Sequence, residues 1–249
     1  MNQKIPDRLI KEPLLEVIWE IRFSGAISPV SDLLPGMIFN SFPEKYDRVT
    51  RLPVSDIPTP FVENDPNLRY APKIRFERGN GAIQIGDRVL SISCRRPYSG
   101  WKQFSHDIKR LSKIVQETGL VKCLERFSLK YIDLIELEKA GSLSHLYIEM
   151  KMGAYDLATK PVQLRTEIEE DDLIHIIQII SPIEVGLPDI EGRLKGVLVE
   201  IDTIKTMTNG ESWNTLFNEL DNVHAASKKM FFSILKPETV QRLEPEYHG

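Results

Sequence analysis

The chain has 249 residues, 41% of them apolar and 27% charged, with a formal net charge of −4. That is enough to bury a substantial core as one large domain or two smaller ones, and it excludes a basic nucleic-acid footprint at the level of the whole chain. Two cysteines, Cys94 and Cys123, exclude a disulfide framework, and no Cys-x-x-Cys or His-x-x-x-His spacing offers a tetrahedral metal site.

Residues 1–13 carry no apolar run of the signal-peptide kind, and no stretch approaches the roughly 20 apolar residues that span a bilayer. The expectation is a cytoplasmic protein without membrane association. Both thiols are expected to be reduced and unreactive, with Cys94 the more activated of the two through Arg95 and Arg96.

PLLEVIWEIRF, residues 13–23, alternates: Leu15, Val17, Trp19, Ile21 and Phe23 share one face, and Glu16, Ile18, Glu20 and Arg22 the other. This predicts a strand with one core face and one wet face, on which Glu and Arg offset one another. Residues 28–47 read as a helix with Leu33, Met37, Ile38, Phe39 and Phe42 at near-helical spacing, Ser31 as N-cap and Pro35 near the first turn. From Arg51 to Pro72 five prolines predict a long irregular connection, the segment best suited to meet a partner.

A meander follows, with strands at 74–78, 82–86 and 89–95 and a hairpin turn at Gly79-Asn80-Gly81. Trp101, Phe104, Ile108, Leu111 and Val115 step by three and four along a helix. Its other faces, with Arg95 and Arg96 upstream, carry Lys102, Lys109, Arg110 and Lys113, the most basic part of the chain. ERFSLKYIDLIEL, 125–137, is a strand whose apolar face holds Asp133, a costly placement unless the carboxylate is paired; Arg126 or Lys130 reach it only through a bulge.

In the second half, 145–152 reads as a strand and 162–180 as a hairpin with its tip at Glu169–Asp172. The second arm, Leu173–Ile180, is apolar on both faces, which predicts a central strand covered twice, with His175 as a hydrogen-bonded core residue. Residues 195–204 place Val197, Val199 and Ile201 inward and Glu200 and Asp202 on the other face. A long amphipathic helix beginning near Trp213, with His224 on its inner stripe, is stopped by Pro237. The fold class is therefore α+β, two halves (1–140 and 141–249) with mainly antiparallel sheets, each covered by an amphipathic helix and joined near 138–144.

The order of PLLEVIWEIRF, LLPGMIFNSFPEKY, YSGWKQF, ERFSLKYIDLIEL, VEIDTI and FFSILKPETV resembles a family of uncharacterised bacterial and archaeal proteins described only as sporadically distributed. The likeness covers nearly the whole chain through dispersed short motifs. Where that family reads RxGLRYIN, Lys130 and Asp133 stand in place of the usual Arg and Asn. The patchy distribution resembles that of genes on mobile elements, including toxin–antitoxin and phage-defence islands, and implies a component that binds a partner.

Three functional classes follow, in order. The first is a non-catalytic binding module with a protein partner and no cofactor, using Tyr70, Tyr98, Trp101, Arg126, Lys130 and Asp133, with aromatic residues and arginine as anchors. The second is a metal-dependent phosphoester- or nucleotide-processing enzyme built on Glu200 and Asp202. The third is a nucleic-acid binder using the basic stretch from Arg95 to Lys113.

Overall fold

The computed structural model of the chain describes residues 4–24, 29–41, 46–136, 143–186, 192–208 and 212–247. In chain order the elements are β1 (Arg8–Leu9), β2 (Leu14–Ser24), α1 (Val30–Ser41), β3 (Arg48–Arg51), α2 (Thr59–Asn64), β4 (Ile74–Arg78), β5 (Gly81–Ile85), β6 (Val89–Arg95), α3 (Trp101–Thr118) and β7 (Cys123–Glu136). They continue with β8 (Lys151–Met152), β9 (Tyr155–Asp156), β10 (Val162–Glu170), β11 (Leu173–Gly186), β12 (Arg193–Thr206), α4 (Trp213–Ile234), α5 (Pro237–Arg242) and β13 (Pro245–Glu246).

The protein is α+β. A nine-stranded sheet runs in the order β10-β11-β12-β7-β2-β6-β5-β4-β3, and β1–β13 and β8–β9 form two-stranded ribbons. Every pair of described register is antiparallel. No helix among the described residues is long and apolar enough to cross a membrane. Two compact units divide the chain, one made of Glu16–Leu129 with Ile204–Val223, the other of Met1–Leu15, Lys130–Thr203 and His224–Gly249. The linker expected at 138–144 falls mostly outside the described residues.

In the unit built on 16–129, the alternation of β2 is realised: Val17, Trp19, Ile21 and Phe23 are fully buried. Register carries the pattern as far as β4, because Trp19 lies opposite the half-buried Ile92, Ile92 opposite Ile83 and Ile83 opposite Phe76, while Val49, opposite Phe76 on the edge strand, is 54% exposed. Each such aliphatic or Phe side chain taken wholly out of water stabilises by about 1.5–3 kcal/mol. In α3 the stripe Phe104, Ile108, Leu111 and Val115 is buried. The helix ends where Gly119 adopts φ +66° and its N–H reaches Gln116 O at 3.2 Å, a left-handed cap that suits glycine.

Four expectations for this unit need correction. The buried stripe of α1 is Val30, Leu34 and Ile38, while Leu33, Met37 and Phe39 face outward, because α1 packs on α3 and β5 along the other side. Pro35 lies inside the helix instead of at its first turn, and Ser31 does not cap: its buried hydroxyl donates to Asp87 Oδ1 at 2.6 Å. The stretch 51–72 is also more ordered than its prolines suggest. Residues Pro53–Asp56 form a 3-10 turn and Thr59–Asn64 a short helix. Pro53 and Pro60 stand at helix starts, where a fixed φ is favourable and the missing N–H costs nothing.

In the other unit, β10 and β11 form the expected hairpin, Val162 opposite Ser181 through Glu170 opposite Leu173, with Asp171 at φ +56° in the turn. β11 is not covered twice. His175, Ile177, Ile179 and Ser181 are buried, whereas Ile174, Ile176, Gln178 and Ile180 on the opposite face are half-buried. The buried face joins Val197, Val199 and Ile201 of β12, Phe231, Phe232 and Leu235 from the α4 end, and Val240 of α5 in one core. Gly196 has a steric reason to be glycine: a Cβ there would collide with the carbonyl oxygen of Ile135.

The strand expected at 145–152 is largely absent. Its backbone makes a 3-10 turn at Leu143–His145, an isolated bridge from Leu146 to Leu235 and the two-residue β8. Pro237 follows the long helix, as expected, and also starts α5.

Candidate functional site

The polar side of the sheet in the 16–129 unit follows from the same period-two rule that builds its core. Register aligns Glu20, Ser91, Gln84, Arg75 and Thr50 in a row across five strands. On it, Arg22 Nε donates to Glu20 Oε1 at 2.8 Å and Arg126 Nη2 lies 3.5 Å from the same oxygen. Arg75 pairs with Glu77 at 3.0 Å. The face is a lattice of matched charges, as the alternation of Glu16, Glu20 and Arg22 suggests.

Tyr70 ties the proline-rich segment to this face. Its hydroxyl donates to Glu125 Oε2 at 2.6 Å, and the Arg22 guanidinium stacks 4.4 Å from its ring centroid. Burial, then the hydrogen bond and charge of Glu125, push the phenol above its ordinary value. Nearby in sequence, Pro60, Phe61, Asn64, Asp65, Pro66 and Leu68 line an open groove of about 530 Å³, and Phe61 is 69% exposed.

Tyr98 and Trp101 are both half-buried. The Tyr98 ring meets Phe104 edge-on at 6.1 Å, and Trp101 Nε1 donates to Asp221 Oδ1 at 2.8 Å. The basic stretch has acceptors along its length. Arg95 pairs with Glu77 at 3.6 Å, Lys109 with Asp221 at 3.7 Å and Lys113 with Glu117 at 3.9 Å, while Arg110 donates to Ser41 O at 3.3 Å.

In the other unit Lys130 sits with the acidic pair of β12, its Nζ 2.9 Å from Glu200 Oε1 and 3.8 Å from Asp202 Oδ2. Among the described residues no group of three His, Cys, Asp or Glu side chains converges as a metal site requires. Asp133 lies on the opposite face of β7. Lys130 and Arg126 are engaged with other carboxylates, and Asp133 is only 6% exposed. Burial, and secondarily the charge of Glu12, raise it to about 8, so at neutral pH it is mostly the uncharged acid.

Several polar pairs of this kind lie beyond the reach of sequence reading. Tyr131 Oη and His224 Nδ1 are 2.8 Å apart, although 93 residues separate them in the chain. His175, fully buried, shares a hydrogen bond with Thr203 Oγ1 at 2.9 Å, and burial lowers its pKa. Asp87 accepts from Ser31 and from Lys73 Nζ at 2.6 Å; burial works to raise its carboxyl, and the two hydrogen bonds outweigh it and hold it below its ordinary value. Only an alignment of pairwise distances, never spacing in the chain, carries such information.

Burial also reverses the expected order of the thiols. Cys94 is buried, which pushes its thiol up despite the neighbouring arginines, and Cys123 is exposed.

Neither a family model nor a curated protein matches this chain.

Proposed function

We propose that this chain is a non-catalytic binding component that acts through a protein partner, as the resemblance to a sporadically distributed family, patchy in the way that genes on mobile elements are, implies. The observation that carries the reading is Phe61: an aromatic ring 69% exposed on the wall of a proline-lined groove, the residue type that anchors recognition and has no packing reason to stand in water. Tyr70, held by Arg22 and Glu125, fixes the end of the same segment. Many of the charged residues elsewhere are matched to one another. In particular, Lys130 supplies the positive charge between Glu200 and Asp202 that a metal-dependent reading needs from an ion.

The test is capture of partners from source cells with the wild-type chain and with Phe61→Ser. Loss of a specific partner in the variant, with the melting temperature unchanged, supports the reading. Equal capture by both chains sinks it.

A further inference from the structure

We propose that β10 is a self-pairing edge through which two copies of this chain join their sheets, a statement independent of the function proposed above. β10 is the outermost strand of the nine-stranded sheet, and its outer side pairs with no strand among the described residues. Nine residues long, it is matched to β11 without a bulge, and it contains no proline and no lysine. Natural edges are blunted by proline, bulges or charge; of these β10 carries only charge, Arg165, Glu167, Glu169 and Glu170, which repels a strand of like charge and admits one of matched charge. The opposite edge of the sheet, β3, is four residues long and ends in Arg48 and Arg51. Only β10 leaves a long regular edge.

In its sequence, Val-Gln-Leu-Arg-Thr-Glu-Ile-Glu-Glu, the central Leu164–Ile168 is complementary to itself when reversed about Thr166, while Val162 and Gln163 fall opposite Glu170 and Glu169. A two-fold axis through Thr166, perpendicular to the sheet, sets each strand antiparallel to its copy and keeps the two faces in common. In that register Arg165 of each copy stands opposite Glu167 of the other, on the exposed face. On the core-side face Leu164 stands opposite Ile168, and Thr166 opposite its own copy. Ile168 is 40% exposed at this edge, and the pairing covers it. In the isolated chain Arg165 and Glu167 reach only each other, 3.0 Å apart along one strand and both about half exposed. Pairing gives each a second partner across the interface.

The neighbouring registers lack this match. An axis through Arg165 sets arginine against arginine, and one through Glu167 sets glutamate against glutamate, both unfavourable as directly opposed pairs. The sequence therefore selects one symmetric register and a second copy of the same chain as the occupant, ahead of an arbitrary peptide strand.

The experiment is sedimentation of the full chain from about 1 µM to about 1 mM, the range in which an interface of strand size dissociates. The expected result is a reversible dimer. Arg165→Glu alone and Glu167→Arg alone each weaken it about tenfold, since every cross pair then repels in both symmetric copies. The double exchange, Arg165→Glu with Glu167→Arg, restores it. Thermal melting shows that these exposed substitutions leave the fold intact. A monomer at every concentration overturns the proposal and leaves the edge to a foreign strand or to none. A dimer indifferent to the charge reversals, or one that the double exchange fails to restore, overturns it as well.

Discussion

Lys130 reaches from β7 to set its Nζ 2.9 Å from Glu200 Oε1 on β12, with Asp202 Oδ2 at 3.8 Å. One ammonium thus serves two carboxylates that stand two residues apart on the same strand, and Asp202 is 8% exposed. Removing the cation leaves two like charges in a half-buried place. Lys130→Ala is expected to destabilise the fold by about 1–2 kcal/mol, more than a surface pair because of that burial. Magnesium at millimolar concentration should raise the melting temperature of Lys130→Ala and leave the wild type unmoved, because only the variant lacks the ammonium that the wild type holds between the two carboxylates. An equal rise in both proteins would show that Lys130 does not hold the pair.

Tyr70 offers a second measurable dependence. Its hydroxyl and ring are engaged by Glu125 and Arg22. Tyr70→Phe is expected to cost about 1 kcal/mol for the lost charge-assisted hydrogen bond, and Tyr70→Ala about 2 kcal/mol once the stacking is lost too. Denaturant unfolding of the two variants checks the order. Equal stability of wild type and Tyr70→Phe would mean that the hydrogen bond contributes nothing.

Asp133 gives the fold an unusual response to pH. Its carboxyl, raised from 3.8 to about 8, keeps its proton in the fold across a window where the unfolded chain has released it. Stability due to this group therefore falls as pH rises through that window, by about 1.4 kcal/mol per pH unit. Asp133→Asn should flatten the slope. In that background His175 becomes visible with the opposite sign: burial lowers its folded value below 6.5, so stability falls as pH drops below that point and the unfolded chain takes up a proton. Asp133→Asn with His175→Gln should lose both slopes. Unfolding free energies from pH 4 to 8 decide, and an unchanged slope in Asp133→Asn would refute the assignment.

The thiols separate cleanly. Cys123 is exposed and Cys94 buried with a raised pKa, so a thiol reagent should label Cys123 in the native protein and Cys94 only on unfolding. Mass spectrometry of the labelled protein checks which residue reacts first.

What could be read from the sequence was local. The period of two in Val17, Trp19, Ile21 and Phe23 needs no distant partner to be recognised, and the same holds for the glycine turn before β5 and for the stripe Phe104, Ile108, Leu111 and Val115. β3 escaped notice because Arg-Val-Thr-Arg becomes a strand only through its register with Arg75 and Phe76. The segment 145–152 misled because its alternation was overridden by the bridge from Leu146 to Leu235. Polar partners such as Tyr70 and Glu125, 55 residues apart, meet through the sheet order, which no single strand encodes. Asp133 was visible as an anomaly on an apolar face, yet its protonation follows from burial that only the fold supplies.

The hairpin of β10 and β11 also has a mechanical meaning. Its nine residue pairs are closed at one end by the turn at Asp171 and open at the other between Val162 and Ser181. A load applied at Val162 and Ser181 falls on one pair at a time, so the hairpin should peel open at low, steady force. Attached instead at Val162 and Leu173, the same load passes down the extended backbone of β10 and its turn, which already span the two points, and leaves the ladder bonds unloaded. The strand offered to a second copy is thus also one that a load at its open end strips from the sheet pair by pair.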